Sequence, residues 1–231
     1  MSARDEFAIR QSIVDACRQM TTLGINQGTS GNIAVRSGEG LLITPSGLPY
    51  ERMKADDIVP MKLDGSHEHR LKPSSEGRFH CDIMQARADV GAIVHAHPIY
   101  ATAFAICRQD IPAVHYMIAA AGGPTIRCGG YASYGTAELS AIALAALEGR
   151  NACLLANHGI IAVGADLDKA MWLAVEVETL CKQYAAALQI GKPHVLSDDE
   201  IMRTVEKFRD YGPQQETGSA ESPPGFMRFT S

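Results

Sequence analysis

Ile9, Ile13, Ala16, Cys17 and Met20 recur at helical spacing and Gly24 follows them, so the chain is predicted to open with an amphipathic helix and a glycine stop. Beyond Gly28 the texture changes to small polar residues and short β-branched stretches, "GTSGNIAVR" and "GLLITPSG", followed by the polar turn "LDGSHEH". These predict strands joined by turns. "SSEGRFHCDIMQAR" predicts a helix capped by Ser74, with Glu76 in its first turn where a carboxylate complements the helix dipole. The apolar run in "GAIVHAHP" predicts the next strand. A further helix is predicted from Thr136 through "AELSAIALAALE" to Gly149, leading into "NACLLANHGIIAVG": a strand, an Asn157-His158-Gly159 turn and a returning strand. From Asp168 a pattern through Leu173, Val177, Leu180 and Tyr184 predicts a long helix, and "SDDEIMRTVEKFRDYG" a last one. Helices interleaved with paired strands predict a layered α/β or α+β domain whose sheet is not all parallel.

Composition narrows what such a domain does. With 231 residues, 46% hydrophobic and 20% charged, the chain is long enough for one sizeable core without disulfides or structural metal. A metal here would then serve function. No apolar run is long enough for a bilayer span, so membrane roles drop out. The start "MSARDEFAIRQ" lacks the basic-then-apolar order of a signal peptide, which places the chain in the cytoplasm. Cys17, Cys81, Cys107, Cys128, Cys153 and Cys181 form no CxxC pair and read as small buried hydrophobes. A net charge of -5 without a basic stripe argues against a nucleic-acid partner. Residues 1–213 read as one domain, and 214–231, rich in Ser, Gly, Pro and Glu, as a flexible polar tail.

The candidate chemistry starts at His95 and His97, two residues apart at a strand end, where i and i+2 point to one side. Taken alone, the pair is either a metal site or two rings satisfied by backbone carbonyls. His158, in a turn after another apolar strand, brings a third imidazole to the same sheet edge, and three nitrogen ligands with an open position is how catalytic zinc is built. His67 and His69 have the same spacing but sit in a charged turn, and read as a solvated hairpin. No HExxH, P-loop or GxGxxG motif is present, which argues against a metalloprotease and against nucleotide cofactors. Three clusters, "GTSGN", "TPSG" and "KPSSE", combine glycines with hydroxyl or amide donors; each is an ordinary turn by itself, and together they suit a phosphate cradle. Beside a metal and a phosphate, Glu76 is placed for general acid/base work; otherwise it balances a helix dipole.

The series "LGINQGTSGNIAVR", "LLITPSGLPYE", "PSSEGRFH", "IPAVHYMIAAAGG", "IRCGGYASYGT", "NHGIIA", "KAMWLAVEVETL" and "VLSDDEI", in this order over nearly the whole chain, resembles the class II aldolase/adducin family. The resemblance implies a three-layer α/β/α domain around a mixed, mostly antiparallel sheet, assembled as a homotetramer with active sites between subunits. It implies one divalent cation per subunit, zinc with manganese or cobalt as alternatives, on His95, His97 and His158, with Glu76 both the catalytic acid/base and a fourth ligand before substrate arrives. Gly31, Asn32, Ser46, Gly47, Ser74 and Ser75 match the positions that hold the substrate phosphate. Tyr116 matches a catalytic tyrosine reaching a neighbour's site, and Tyr134 and Tyr211 match aromatic positions at the aldehyde end. The implied reaction cleaves the C3–C4 bond of a ketose 1-phosphate, such as L-fuculose 1-phosphate, to dihydroxyacetone phosphate and a short aldehyde such as L-lactaldehyde. The cation stabilises the enediolate charge, and no Schiff-base lysine is needed. Ala96, Asn157 and Tyr134 depart from the fuculose-phosphate pattern, which bears on the aldehyde accepted. A pentulose-phosphate 4-epimerase and a non-enzymatic adducin-like scaffold are the alternatives; a scaffold loses the histidines, and this chain keeps all three.

Overall fold

The computed structural model describes residues 3–209; the predicted tail and Tyr211 lie outside them. In chain order the elements are α1 (Ala3–Thr22), β1 (Asn32–Ser37), β2 (Gly40–Ile43), β3 (Val59–Lys62), α2 (Gly77–Ala86), β4 (Ala92–Ala96) and α3 (Ile99–Ile106). They continue with β5 (Arg127–Gly129), α4 (Ala137–Ala146), β6 (Ala152–Leu155), β7 (Gly159–Gly164), α5 (Leu167–Ile190) and α6 (Asp198–Arg209). Short 3-10 segments span Ala55–Asp57 and Tyr116–Ala121.

The strands of the described residues form one seven-stranded sheet in the order β3-β2-β1-β4-β7-β6-β5. Every pairing is antiparallel except β5 with β6. A mixed, mostly antiparallel sheet is what the motifs implied. Strand alternation divides the core into two layers. Ala92, Val94 and Ala96 pack with α1, α3 and α5, while Ile93, Ile161 and Val163 pack with Phe79 of α2 and Leu139 of α4. Helices thus cover both faces, giving three layers. β4 lies in the middle, buried at every position, which is why its sequence reads as an unbroken apolar run up to His95.

Three predictions need correction. The helix predicted from Ser74 starts at Gly77, with Glu76 at the capping position and no side-chain cap. The Ser74 hydroxyl instead accepts the Glu76 N–H at 3.3 Å and its carbonyl accepts the Gly77 N–H at 2.9 Å, a turn that competes with the helix. Ser74 and Ser75 therefore precede the helix rather than open it. Cys107 is exposed and Cys128 only partly covered, whereas Cys17, Cys81, Cys153 and Cys181 are buried as expected. Ala96 is fully buried in the layer beneath α3 and α5, so it lines no open surface. Thr136 accepts the Leu139 N–H at 3.2 Å and caps α4 as predicted, whereas α3 and β5 answer to no predicted element; among the described residues no helix is long and apolar enough to cross a membrane.

Candidate metal centre

His95 is the penultimate residue of β4 and His97 lies just past its end, so strand alternation turns both rings to one side. Their Nε2 atoms are 2.9 Å apart. His158 comes from the β6–β7 turn, which is closed by its own N–H on the Leu155 carbonyl at 3.1 Å. Asn157 ahead of it takes a φ of 54°, a left-handed conformation that Asn tolerates better than most residues. The three rings sit 4.8–5.0 Å apart by centroid and at steep angles, aimed at a common point rather than stacked.

Glu76 closes the cluster. Its Oε2 is 3.1 Å from His95 Nε2 and its Oε1 is 3.2 Å from His158 Nε2, yet Oε1 is buried and has no hydrogen bond. Burial works to raise this carboxyl, but the imidazoles of His95 and His158 beside it outweigh that and hold the group well below the usual carboxylate range. His97 moves the other way: burial first, then His95 and His158, push it down to about 3 against the opposing charge of Glu76, so its ring is neutral. His95 Nδ1 lies 2.8 Å from the Ile160 carbonyl, which accepts only, so that nitrogen carries a proton and the contact turns Nε2 toward the cluster.

This donor set fits a divalent cation. Ligand atoms of His95, His97 and His158 all lie within 4.8 Å of one another, the two closest nitrogens face each other, and a buried carboxylate oxygen stands beside them without a hydrogen bond. The decoy pair lies apart from the cluster: His67 is exposed and His69 partly buried, and their rings bond to the backbone carbonyls of Gly65 and Asp56.

The three polar clusters meet above this floor. Pro45 and Pro73 form an isolated bridge, the Ser46 N–H donates to the Lys72 carbonyl at 3.0 Å and the Ser74 N–H to the Thr44 carbonyl at 2.9 Å, which zips "TPSG" to "KPSSE". Ser46, Gly47 and Ser75 are exposed and Ser74 is buried. Asn32 stands opposite His95 in the β1–β4 register, and its Nδ2 donates to Glu76 Oε2 at 2.9 Å. Gly31 has no room for a side chain: a Cβ there would lie 2.8 Å from the Asn26 side chain and from the His95 carbonyl oxygen. Gly135 is equally confined, since its Cβ would meet the Ser75 carbonyl at 2.7 Å, and this contact sets the loop carrying Tyr131 and Tyr134 beside the cradle. Both tyrosines are largely exposed. Tyr116 is half exposed, its ring 4.7 Å from that of His115, on the segment that packs against α5 and α6.

Sequence reasoning missed a buried layer behind these groups. Asn26 accepts the His97 N–H at 3.1 Å and donates to Tyr50 Oη at 3.2 Å, and Tyr50 donates to the Gly31 carbonyl at 2.6 Å. His80 lies 2.5 Å from Asn32 Oδ1. Glu178 of α5 accepts the N–H groups of Tyr100 and Ala101 at 3.2 and 2.9 Å, capping the helix that starts two residues after His97. The available signals were slight: Asn26 directly precedes a glycine-rich loop, and His80 is one helical turn from Glu76.

Comparison with known proteins agrees with this arrangement. Residues 11–185 match the model of the class II aldolase and adducin N-terminal domain. The chain is 54% identical over 218 residues, 94% of its length and 97% of the relative's, to a 5-methylthioribulose-1-phosphate/5-deoxyribulose-1-phosphate aldolase of Rhodospirillum rubrum. It is 50% identical over 205 residues, 88% of its length and 95% of the relative's, to an L-fuculose phosphate aldolase of Escherichia coli. A solved L-fuculose 1-phosphate aldolase superposes with a TM-score of 0.86 at 40% identity, covering 90% of this chain and 98% of that one.

Proposed function

Because the chain belongs to the class II aldolase and adducin family, we propose that it is a metal-dependent aldolase that reversibly cleaves a deoxy ketose 1-phosphate to dihydroxyacetone phosphate and a short aldehyde. The observation that carries this reading is the convergence of three imidazoles and the Glu76 carboxylate beneath the zipped polar loops. His95, His97 and His158 would hold a divalent cation, zinc by the nitrogen donor set, and bound there it supplies a Lewis acid for the charge that develops when C3–C4 breaks.

The residues do the rest. Ser46, Gly47, Ser74 and Ser75, with Gly31 and Asn32, hold the phosphate and so orient the reacting carbon through remote binding. Tyr116 of a neighbouring subunit takes the proton from the C4 hydroxyl, and Glu76 returns one to C3 of the dihydroxyacetone phosphate half. The family resemblance that brings a neighbour's Tyr116 to each site also implies a homotetramer as the working unit.

The relatives' substrates share one chemical trait: L-fuculose 1-phosphate, 5-deoxyribulose 1-phosphate and 5-methylthioribulose 1-phosphate all lack a terminal hydroxyl. The exposed rings of Tyr131 and Tyr134 beside the cradle suit such an apolar end. A panel of these three compounds and their terminally hydroxylated counterparts, with coupled detection of dihydroxyacetone phosphate, tests both statements. Release from a deoxy compound, abolished by chelation and restored by zinc, is expected. Recovery of a C4-inverted pentulose phosphate without free triose would establish the epimerase instead, and inert, metal-free protein would point to a scaffold. Glu76→Gln is expected to lower kcat by about 10²–10⁴-fold, with the fold intact by circular dichroism.

A further inference from the structure

We propose that His80 is a positioning residue: held as the neutral Nε2–H tautomer inside α2, it fixes the Asn32 side-chain amide so that its NH2 group faces Glu76. The inference rests on the reading of Glu76 as the proton carrier and adds what keeps that carboxylate in its working state.

His80 is completely buried, its ring 4.5 Å from that of Phe79. Its Nε2 is 2.5 Å from Asn32 Oδ1. An amide oxygen only accepts, so the nitrogen must carry the proton. Asn32, itself buried, then donates through Nδ2 to Glu76 Oε2 at 2.9 Å. The three side chains form a one-way relay of donors from α2 through β1 to the metal centre.

An amide can turn over and exchange its oxygen for its nitrogen at little steric cost, so something must choose. Turned over, Asn32 would set its oxygen against a carboxylate oxygen and its NH2 against the His80 N–H, two repulsions together. The second is relieved only if His80 moves its proton to Nδ1. That nitrogen is buried and has no hydrogen-bond partner, so a proton there would be a donor with nothing to receive it. The lack of an acceptor at Nδ1 therefore fixes the tautomer, the tautomer fixes the amide, and the amide gives Glu76 a permanent donor. With Oε2 engaged in this way, Oε1 is the oxygen left to carry the substrate proton. Charge agrees with geometry: burial and the nearby His95, opposed by Glu76, push His80 down to about 3, so the ring stays neutral wherever the enzyme works.

The test uses the full chain, with His80→Leu to remove the donor and His80→Gln to restore one. Nitrogen-15 NMR of histidine-labelled wild type, with chelator and with zinc, should show one neutral ring protonated at Nε2 whose proton exchanges slowly and whose signal vanishes in both variants. In the coupled assay His80→Leu is expected to lose about 10–100-fold in kcat at equal zinc content, with KM moving far less. His80→Gln should recover most of the rate. A proton on Nδ1, a Leu variant with unchanged kcat, or a Gln variant as impaired as Leu would each overturn the proposal. If His80→Leu does not fold, the Gln variant and the wild-type spectrum decide. If wild type releases no triose phosphate, the aldolase reading fails while the spectrum still decides where the His80 proton sits.

Discussion

Tyr50 shows how single buried polar atoms shape the metal centre. Burial pushes its phenol above the ordinary range, so the hydroxyl remains a donor to the Gly31 carbonyl and an acceptor for Asn26, which in turn holds the His97 N–H. Tyr50→Phe leaves a carbonyl and an amide N–H unpaired in the interior. The expected cost is about 1–3 kcal/mol in urea unfolding, with weaker zinc binding in a chelator competition. Unchanged stability and affinity would show that the phenol only fills space. The candidate ligand cluster was legible in the sequence because strand-end histidines two residues apart, and a third in a turn, carry a spacing that chemistry recognises. Asn26, Tyr50 and His80 were not. A lone polar residue within an apolar layer has no period, and its partner is known only once the chain is folded.

At the level of elements, α3 acts as a strut between the two ligand-bearing loops. It starts two residues after His97, and near its other end the Ala105 carbonyl accepts the N–H of Asn157, the neighbour of His158, at 3.1 Å. Glu178 holds the first end from a buried position on α5. Glu178→Ala should cost on the order of 2–3 kcal/mol, since one buried and one partly buried N–H group at a helix N-terminus lose a charged acceptor. Zinc affinity should fall with it by about tenfold or more. Lost stability with zinc affinity intact would disconnect the strut from the centre. This helix escaped sequence reading because "IYATAFAI" is almost uniformly apolar and offers no polar face to set a period. The start of α2 was misplaced for a related reason: Ser74 looks like a cap, and only the fold shows Glu76 drawn away to the histidines.

For the whole molecule, the proposed sharing of sites between subunits makes a sharp prediction. Random mixed oligomers of Glu76→Gln and Tyr116→Phe subunits should recover activity at about a quarter of the sites, where an intact glutamate meets an intact tyrosine. No gain over either parent would place both groups' work within one subunit. Acid sensitivity is a second global property. The unfolded chain takes up a proton at His80 near its ordinary value of 6.5, whereas the folded chain refuses it until about 3. Its contribution to stability is therefore complete above pH 6.5 and is lost as pH falls toward 3. Urea unfolding of His80→Gln should show a shallower decline over that window than wild type; parallel curves would contradict the assignment. The layered class and mixed sheet were legible from interleaved patterns and motif order, but the strand order was not, because β1 pairs with β4 across a long stretch of intervening chain. The missing side chain at position 31 makes this long-range pairing matter. With only hydrogen there, the loop lies directly on the backbone of the histidine strand, without a cushion. On the proposed reading, a phosphate held by that loop would bear directly on the carbonyl of His95, so the grip at one end of the sugar and the seat of the imidazole at the other would be joined by one rigid contact.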